Sequence, residues 1–200
     1  RRVQAEWTAQ TGEASARERF YQGKARIALG LMLSRYGEAL ELTSSPLDRV
    51  LGWGRTRQEA WTQRRMAELE ARFNAAGRHY DQALQQRTPI WSSAALYLHG
   101  RDAEAFYHKV LELPPPAWLT PSQQTLFRSM LRERLRPYLV RAAHYYLKGL
   151  EVAQSTGDDS GWARWLALRV KQLDDEGIDG LATDRALETW KGDLGGARFR

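Results

Sequence analysis

The sequence predicts an all-α protein built from stacked antiparallel helical hairpins. Apolar residues recur at steps of three and four over long stretches, which is the spacing of one face of a helix. No segment alternates apolar and polar residues as a half-buried strand does. Several helix starts are marked by a serine or threonine directly before a proline. With 42% hydrophobic residues in 200, the chain can bury one continuous core.

The first helical stretch is predicted from Glu13 to Leu42. The sequence Thr43-Ser44-Ser45-Pro46 then predicts a stop and a new start, because a serine cap precedes a proline. From Leu47 to Gln86 the pattern is again helical, and its second half carries a clean apolar stripe. Glycine costs about 1 kcal/mol of helix propensity relative to alanine, so we expect a bend or break at Gly52 and Gly54.

A third helix is predicted to begin at Thr88-Pro89 and to run to about Leu113. Gly100 lies near its middle, where a glycine allows a neighbouring helix to approach closely. The prolines Pro114 to Pro116 cannot continue a helix, because proline lacks the backbone N–H group. They predict a short extended connection between the two halves of the chain.

The strongest periodic signal follows this connection, from Pro121 to Gln154. Thr120 is the predicted N-cap of this helix, and Pro121 fits its first position. Pro137 lies inside the stretch and predicts a kink near Arg134.

A last packed helix is predicted from about Trp162 to Leu173, with Asp158, Asp159 and Ser160 as capping residues. Glycines become frequent after Asp174, and only Leu181 to Trp190 has a helical pattern there. We therefore divide the chain into a helical domain, residues 1–173, and a tail with one short helix, residues 174–200. The domain is expected to be the C-terminal end of a repeat array.

The sequence offers no set of residues for catalysis, for a cofactor or for a metal ion. It contains no cysteine, which excludes disulfides and thiolate chemistry. None of the four histidines pairs with another at a spacing of four, as two metal ligands on one helix would. Glu104 and His108 are four residues apart and are expected to make a surface contact. We expect that the protein is not an enzyme.

Two features predict a surface for a macromolecular partner. Trp118 lies in the proline connection, where it either fixes the loop against the helices or stays exposed as an anchor. Arg128, Arg132 and Arg136 follow each other at steps of four, with Glu133 as the acid among them. The net charge of +6 is a modest excess spread along helices, so a solvated surface remains the simpler interpretation of these arginines.

A short pattern occurs twice in the chain. Ala76, Tyr80 and Ala83-Leu84 show small, aromatic and small residues at the spacing found in the second helix of a tetratricopeptide repeat. The same spacing recurs at Ala142, Tyr146 and Gly149-Leu150. In the preceding helix, Leu96, His99, Gly100 and Ala103 occupy the slots of the first-helix motif, and only the glycine is retained.

With these pieces in order, the region from Lys24 to Leu173 resembles bacterial tetratricopeptide-repeat proteins of the cell envelope, and most of all those of the adventurous gliding motility machinery. The resemblance implies a divergent tetratricopeptide-like solenoid that acts as a protein-interaction adaptor or scaffold. It implies a periplasmic or outer-membrane-associated location, with a cytoplasmic location as the alternative. By the match at Gly100, it also places Tyr97, Arg101 and Glu104 in the concave groove that binds the partner.

Two alternatives to an adaptor for another protein stay open at this point. The arginine-rich helix could bind nucleic acid, in which case affinity should fall steeply with salt. The chain could also be a structural module that associates with itself through its N-terminal face, around Phe20 and Ile27. No segment is apolar enough over sufficient length to predict a transmembrane helix.

Overall fold

The computed structural model describes the backbone of residues 2–42, 55–116 and 118–175, and side chains within 15–42, 59–116 and 118–173. This part of the chain forms five helices and no strand, which confirms the all-α prediction. The helices are α1 (Arg2–Glu38), α2 (Arg55–Gln85), α3 (Pro89–Leu111), α4 (Pro121–Thr156) and α5 (Gly161–Asp175). None of them combines the length and the apolar character needed to cross a membrane.

Several predictions made from the sequence lie outside the described residues. These are the helix start at Pro46, the break at Gly52 and Gly54, and the short helix from Leu181 to Trp190. The tail is likewise outside them beyond residue 175. The end of α2 and both ends of α3, α4 and α5 fall within two residues of the predicted positions, whereas α1 begins at Arg2 and not at the predicted Glu13.

The predicted cap of α4 is present in full. The Thr120 hydroxyl accepts a hydrogen bond from the Gln123 backbone N–H at 3.4 Å, and the Gln123 side chain accepts one from the Thr120 N–H at 2.9 Å. This reciprocal pair satisfies two N–H groups that a helix start leaves unpaired. The helix then continues through Pro137 and ends at Gly157, whose φ of 67° is the left-handed conformation that glycine adopts easily.

The other two predicted caps behave differently from each other. Before α5, the Asp158 carboxylate accepts from the Ser160 N–H at 3.0 Å, and the Ser160 hydroxyl accepts from the Ala163 N–H at 3.5 Å. The capping role predicted for this segment is therefore confirmed. Thr88 occupies the N-cap of α3 directly before Pro89, but its hydroxyl makes no capping hydrogen bond. Proline at the first helical position is thus the remaining start signal of α3.

Consecutive helices run antiparallel to each other. Gly30 of α1 lies against Tyr80 of α2, and the later Gly37 lies against the earlier Phe73. Residue numbers therefore rise along α1 where they fall along α2. Helices α3 and α4 pair in the same way, because Gly100 contacts Tyr146 whereas the later Gly149 contacts Leu96. The chain therefore forms two long helical hairpins, α1/α2 and α3/α4, followed by α5.

The first helices of these hairpins run parallel to each other. Gly23 of α1 lies beside Trp91 of α3, and Ser34 is bonded to Asp102, eleven residues farther along both helices. Helix α3 is the centre of the arrangement, since it contacts each of the other four helices. Most of the buried core side chains lie at its interfaces.

The closest approaches within the hairpins pair a glycine with a tyrosine. A β-carbon added to Gly100 would lie 2.5 Å from the Tyr146 ring, and Gly30 leaves no more room beside Tyr80. Both tyrosines are almost fully buried, at 0% and 1% exposure. The glycine of the first helix thus makes the space that the ring of the second helix fills.

We expect Gly100→Ala to destabilise the protein by about 1–3 kcal/mol, because overpacking a filled interface forces side chains or backbone to move. Denaturation by urea, followed by circular dichroism, measures this change. Gly161→Ala is the matched control, since a β-carbon there meets no atom within 4 Å. Equal stability of the two variants would contradict the assigned role of Gly100.

Candidate functional site

A buried carboxylate links α1, α2 and α3. Asp102 is only 4% exposed, and its two oxygens accept hydrogen bonds from Ser34 Oγ at 2.7 Å and from the Tyr80 hydroxyl at 3.2 Å. Arg101 donates to the same carboxylate at 3.1 Å and to Ser34 Oγ at 2.7 Å. A guanidinium nitrogen of Arg101 also lies 3.6 Å from a carboxylate oxygen of Glu38. We call this cluster the first junction.

The electrostatics of the first junction follow from its burial. Burial raises the pKa of Asp102, although Arg101 and the three hydrogen bonds to the carboxylate act in the opposite direction. Burial also raises the pKa of Tyr80, and the neighbouring Asp102 adds to that effect. For Arg101, burial alone would lower the pKa, but the pairing with Asp102 outweighs it and the pKa is raised. The cluster is thus a polar network inside a helix interface, in which both Asp102 oxygens accept hydrogen bonds while Arg101 Nε is buried without a partner.

A second junction repeats this construction one hairpin later. The Glu104 carboxylate accepts from the Tyr146 hydroxyl at 2.9 Å and from Arg169 Nε at 3.1 Å, and a second nitrogen of Arg169 also contacts it. Only 12% of the Glu104 side chain is exposed. The predicted contact with His108 exists at 3.8 Å, but the main partners of Glu104 are the two residues of α4 and α5.

Tyr97, the third residue that the resemblance places in a groove, is also engaged within the chain. Its ring lies between those of Tyr146 and Trp162, with centroids 5.8 Å away on each side. Tyr97 is half-buried. A partner at Tyr97, Arg101 or Glu104 would therefore compete with contacts that hold neighbouring helices together.

The remaining predicted residues lie just before α4 and along its first half. Trp118 is 42% exposed, and Leu126 and Met130 are 60% and 64% exposed. Arg132 is exposed, and Arg136 lies 3.8 Å from Glu133, itself largely in solvent. We call these five residues, Trp118, Leu126, Met130, Arg132 and Arg136, the α4 surface.

Sequence reasoning missed Leu126 and Met130, although a signal for them was present. They are four residues apart and lie off the stripe formed by Phe127, Leu131 and Leu135. Large apolar side chains outside the buried stripe of an amphipathic helix indicate a second contact face. In the structure they are exposed in the half of α4 that also carries the arginines singled out from the sequence.

A groove of about 190 Å³ between α2 and α4 was also missed. His99 lies at its floor, 3.0 Å from Asp81 and stacked on Tyr145 with ring centroids 4.5 Å apart. Arg78 and Arg141 line it together with acidic residues, so neither sign of charge dominates. Within the described ranges, no group of three histidine, aspartate or glutamate side chains is arranged to hold a metal ion.

The chain matches no protein-family model, and neither curated proteins nor solved structures show a significant similarity to it. The resemblance to tetratricopeptide proteins thus stays a prediction from the motifs alone. The function is inferred below from the geometry of the exposed surfaces and of the two junctions.

We expect Glu104→Ala to lower the free energy of unfolding by about 1–3 kcal/mol, because it leaves the buried Tyr146 hydroxyl and Arg169 without their acceptor. Glu133→Ala is the control, since that glutamate is 78% exposed and its contact with Arg136 is long. Urea denaturation of both variants measures the difference. If Glu104→Ala unfolds like the control, the second junction does not stabilise the fold.

Proposed function

We propose that this protein is an adaptor that binds another protein through the α4 surface. The observation that carries the proposal is that Trp118, Leu126 and Met130 are exposed just before and along the same half of α4 that carries Arg132 and Arg136. Aromatic residues, methionine and arginine are enriched in protein interfaces, and buried aromatic and arginine anchors supply most of the binding energy. The partner surface complementary to this one is an apolar pocket with acidic residues at its rim.

The state of the other predicted residues supports this choice of surface. Arg101 and Glu104 are held in the two junctions, and Tyr97 packs between two rings. Binding through them would first have to break contacts inside the chain, at a cost to the partner's affinity. The apolar side chains of the α4 surface are 42% to 64% exposed, so a large part of their area already faces solvent.

We further propose that the helices form a divergent tetratricopeptide-like solenoid. Support comes from the antiparallel hairpins, the parallel first helices and the tyrosines 80 and 146, which fill the aromatic slots of the motif. The dimensions differ, since Gly30 and Gly100 are 70 residues apart whereas a tetratricopeptide unit has about 34 residues. The proposed solenoid therefore has helices about twice as long as those of the standard repeat.

A place in a bacterial envelope assembly, periplasmic or at the outer membrane, belongs to the same proposal and depends on the resemblance. Binding of nucleic acid is a weaker candidate. Non-specific binding of single strands uses exposed aromatic rings beside the basic residues. On α4, Tyr138 is stacked on Phe106 with ring centroids 4.4 Å apart and Tyr146 is buried, so Trp118 is the one exposed ring of the α4 surface, whereas successive bases need several rings to stack on.

The test is affinity capture from envelope and cytosolic extracts, with the whole chain as bait and washes over a salt series. We expect specific proteins to be retained at high salt, because apolar anchors are not screened. The double variant Trp118→Ala with Arg132→Glu should lose them. Mass spectrometry of the retained material identifies the partner.

Arg164→Glu is the matched control, since Arg164 is an exposed arginine on α5, away from the α4 surface. It should retain the same partners as the unchanged protein. Capture of nucleic acid alone, lost as salt rises, would overturn the adaptor proposal. Unchanged capture by the Trp118 and Arg132 variant would exclude the α4 surface.

A further inference from the structure

Helix α1 carries a row of large apolar side chains on the side that faces away from α2 and α3. Tyr21, Leu29, Met32 and Tyr36 are 57%, 41%, 49% and 59% exposed. Ala25 and Ala28 are exposed between them. We call these six residues the outer stripe of α1. Of the two residues that the sequence had suggested for self-association, Ile27 is buried, whereas Phe20 is 38% exposed and packs on both Tyr21 and Trp91, with ring centroids 5.6 and 5.2 Å away.

The outer stripe occupies positions that pack against a helix pair elsewhere in this chain. In α3 and α5, the residues that face the preceding hairpin follow each other at steps of four, three and four. They are Trp91, Ala95, Leu98 and Asp102 in α3, and Trp162, Leu166, Arg169 and Leu173 in α5. When Gly30 is aligned with Gly100, the corresponding residues of α1 are Tyr21, Ala25, Ala28 and Met32. These are helix-packing positions that no described residue covers.

The order of side chains along the stripe suits an antiparallel second copy of itself. If two copies of α1 cross at Ala25 and Ala28, small residues meet at the point of closest approach. Tyr21 then lies opposite Met32 of the other copy, on both sides of the crossing. This alternation of small and large side chains lets two helices interlock without cavities.

The charges at the ends of the stripe agree with the same register. When the copies cross at Ala25 and Ala28, Glu18 of each copy lies opposite Arg35 of the other. The two-fold symmetry therefore gives two such pairs. Both side chains are exposed. Among the described residues, Glu18 accepts a hydrogen bond from Gln22 alone, at 2.9 Å, and the Arg35 side chain makes no hydrogen bond or ion pair. A self-complementary arrangement of this kind is the requirement of a two-fold interface.

We infer that the outer stripe of α1 is a homodimer interface, in which a second copy packs antiparallel across Ala25 and Ala28. The four large side chains of the two copies together expose roughly 1,000 Å² of surface for burial. That area lies at the lower end for specific interfaces, so the dimer is reversible. The α4 surface lies on a different helix, and the adaptor proposal does not depend on this inference.

Sedimentation velocity of the whole chain over a concentration series tests the inference. We expect a monomer–dimer equilibrium, and Met32→Glu should weaken the dimer on the order of 10-fold or more, because a charge would be buried in the apolar contact. Met130→Glu is the matched control, since Met130 is an exposed methionine on α4, at 64% against 49% for Met32. It should leave the dimer unchanged.

Two further measurements fix the register. The chain has no cysteine, so Ala28→Cys should give a disulfide-linked dimer on mild oxidation, whereas the exposed Ala71→Cys of α2 should not. Glu18→Arg and Arg35→Glu should each weaken the dimer, and the double variant should recover part of the loss.

Three results would overturn the inference. The first is a monomer at all concentrations, and the second is a dimer that Met32→Glu leaves intact. The third is a series of species larger than a dimer that Trp165→Glu abolishes. That outcome would instead show head-to-tail association through Trp165, which is 54% exposed on α5.

Discussion

The pairing of a glycine in one helix with a tyrosine in the next is the constraint on which the rest of this structure depends. At Gly30 and Gly100 the first helix of each hairpin has no side chain, and the rings of Tyr80 and Tyr146 occupy the space. Because the close contact with the glycine holds each ring in one orientation, the tyrosine hydroxyl has a fixed position between the helices. A carboxylate stands there in both cases, Asp102 in one and Glu104 in the other.

This arrangement determines where the protein can bind a partner. The buried charged residues between the helices are held in the two junctions, because a buried charge is tolerated only when it is paired and hydrogen-bonded. Arg101 and Glu104 therefore connect successive hairpins. Exposed apolar side chains lie on the outside of the stack, among them those at the start of α4 and along α1. Both surfaces carry exposed apolar side chains with arginines nearby, so both suit contact with other helices or with folded proteins.

The sequence predicted the elements well because the signals for them are local. The N-cap of α4 needs only Thr120 and Gln123, three positions later. The start of α3 needs only the proline ring of residue 89. The aromatic slots at positions 80 and 146 could be read in the same way, because the three and four residue spacing of a helix is fixed. The candidate site was predicted less well. Trp118 and Arg132 are exposed and Arg136 is partly exposed, whereas Leu126 and Met130 of the same helix were overlooked.

The sequence by itself determined that the described chain is helical, where most of its helices start and end, and which face of each helix is apolar. Only the tertiary structure decided which polar residues are hydrogen-bonded inside the stack. Ser34 and Asp102 are more than sixty residues apart, as are Glu104 and Arg169, and each pair meets only when the hairpins pack. It likewise decided which apolar faces stay uncovered. Periodicity shows that a face is apolar, but only the position of the neighbouring helices shows that α3 is surrounded while the outer stripe of α1 faces solvent.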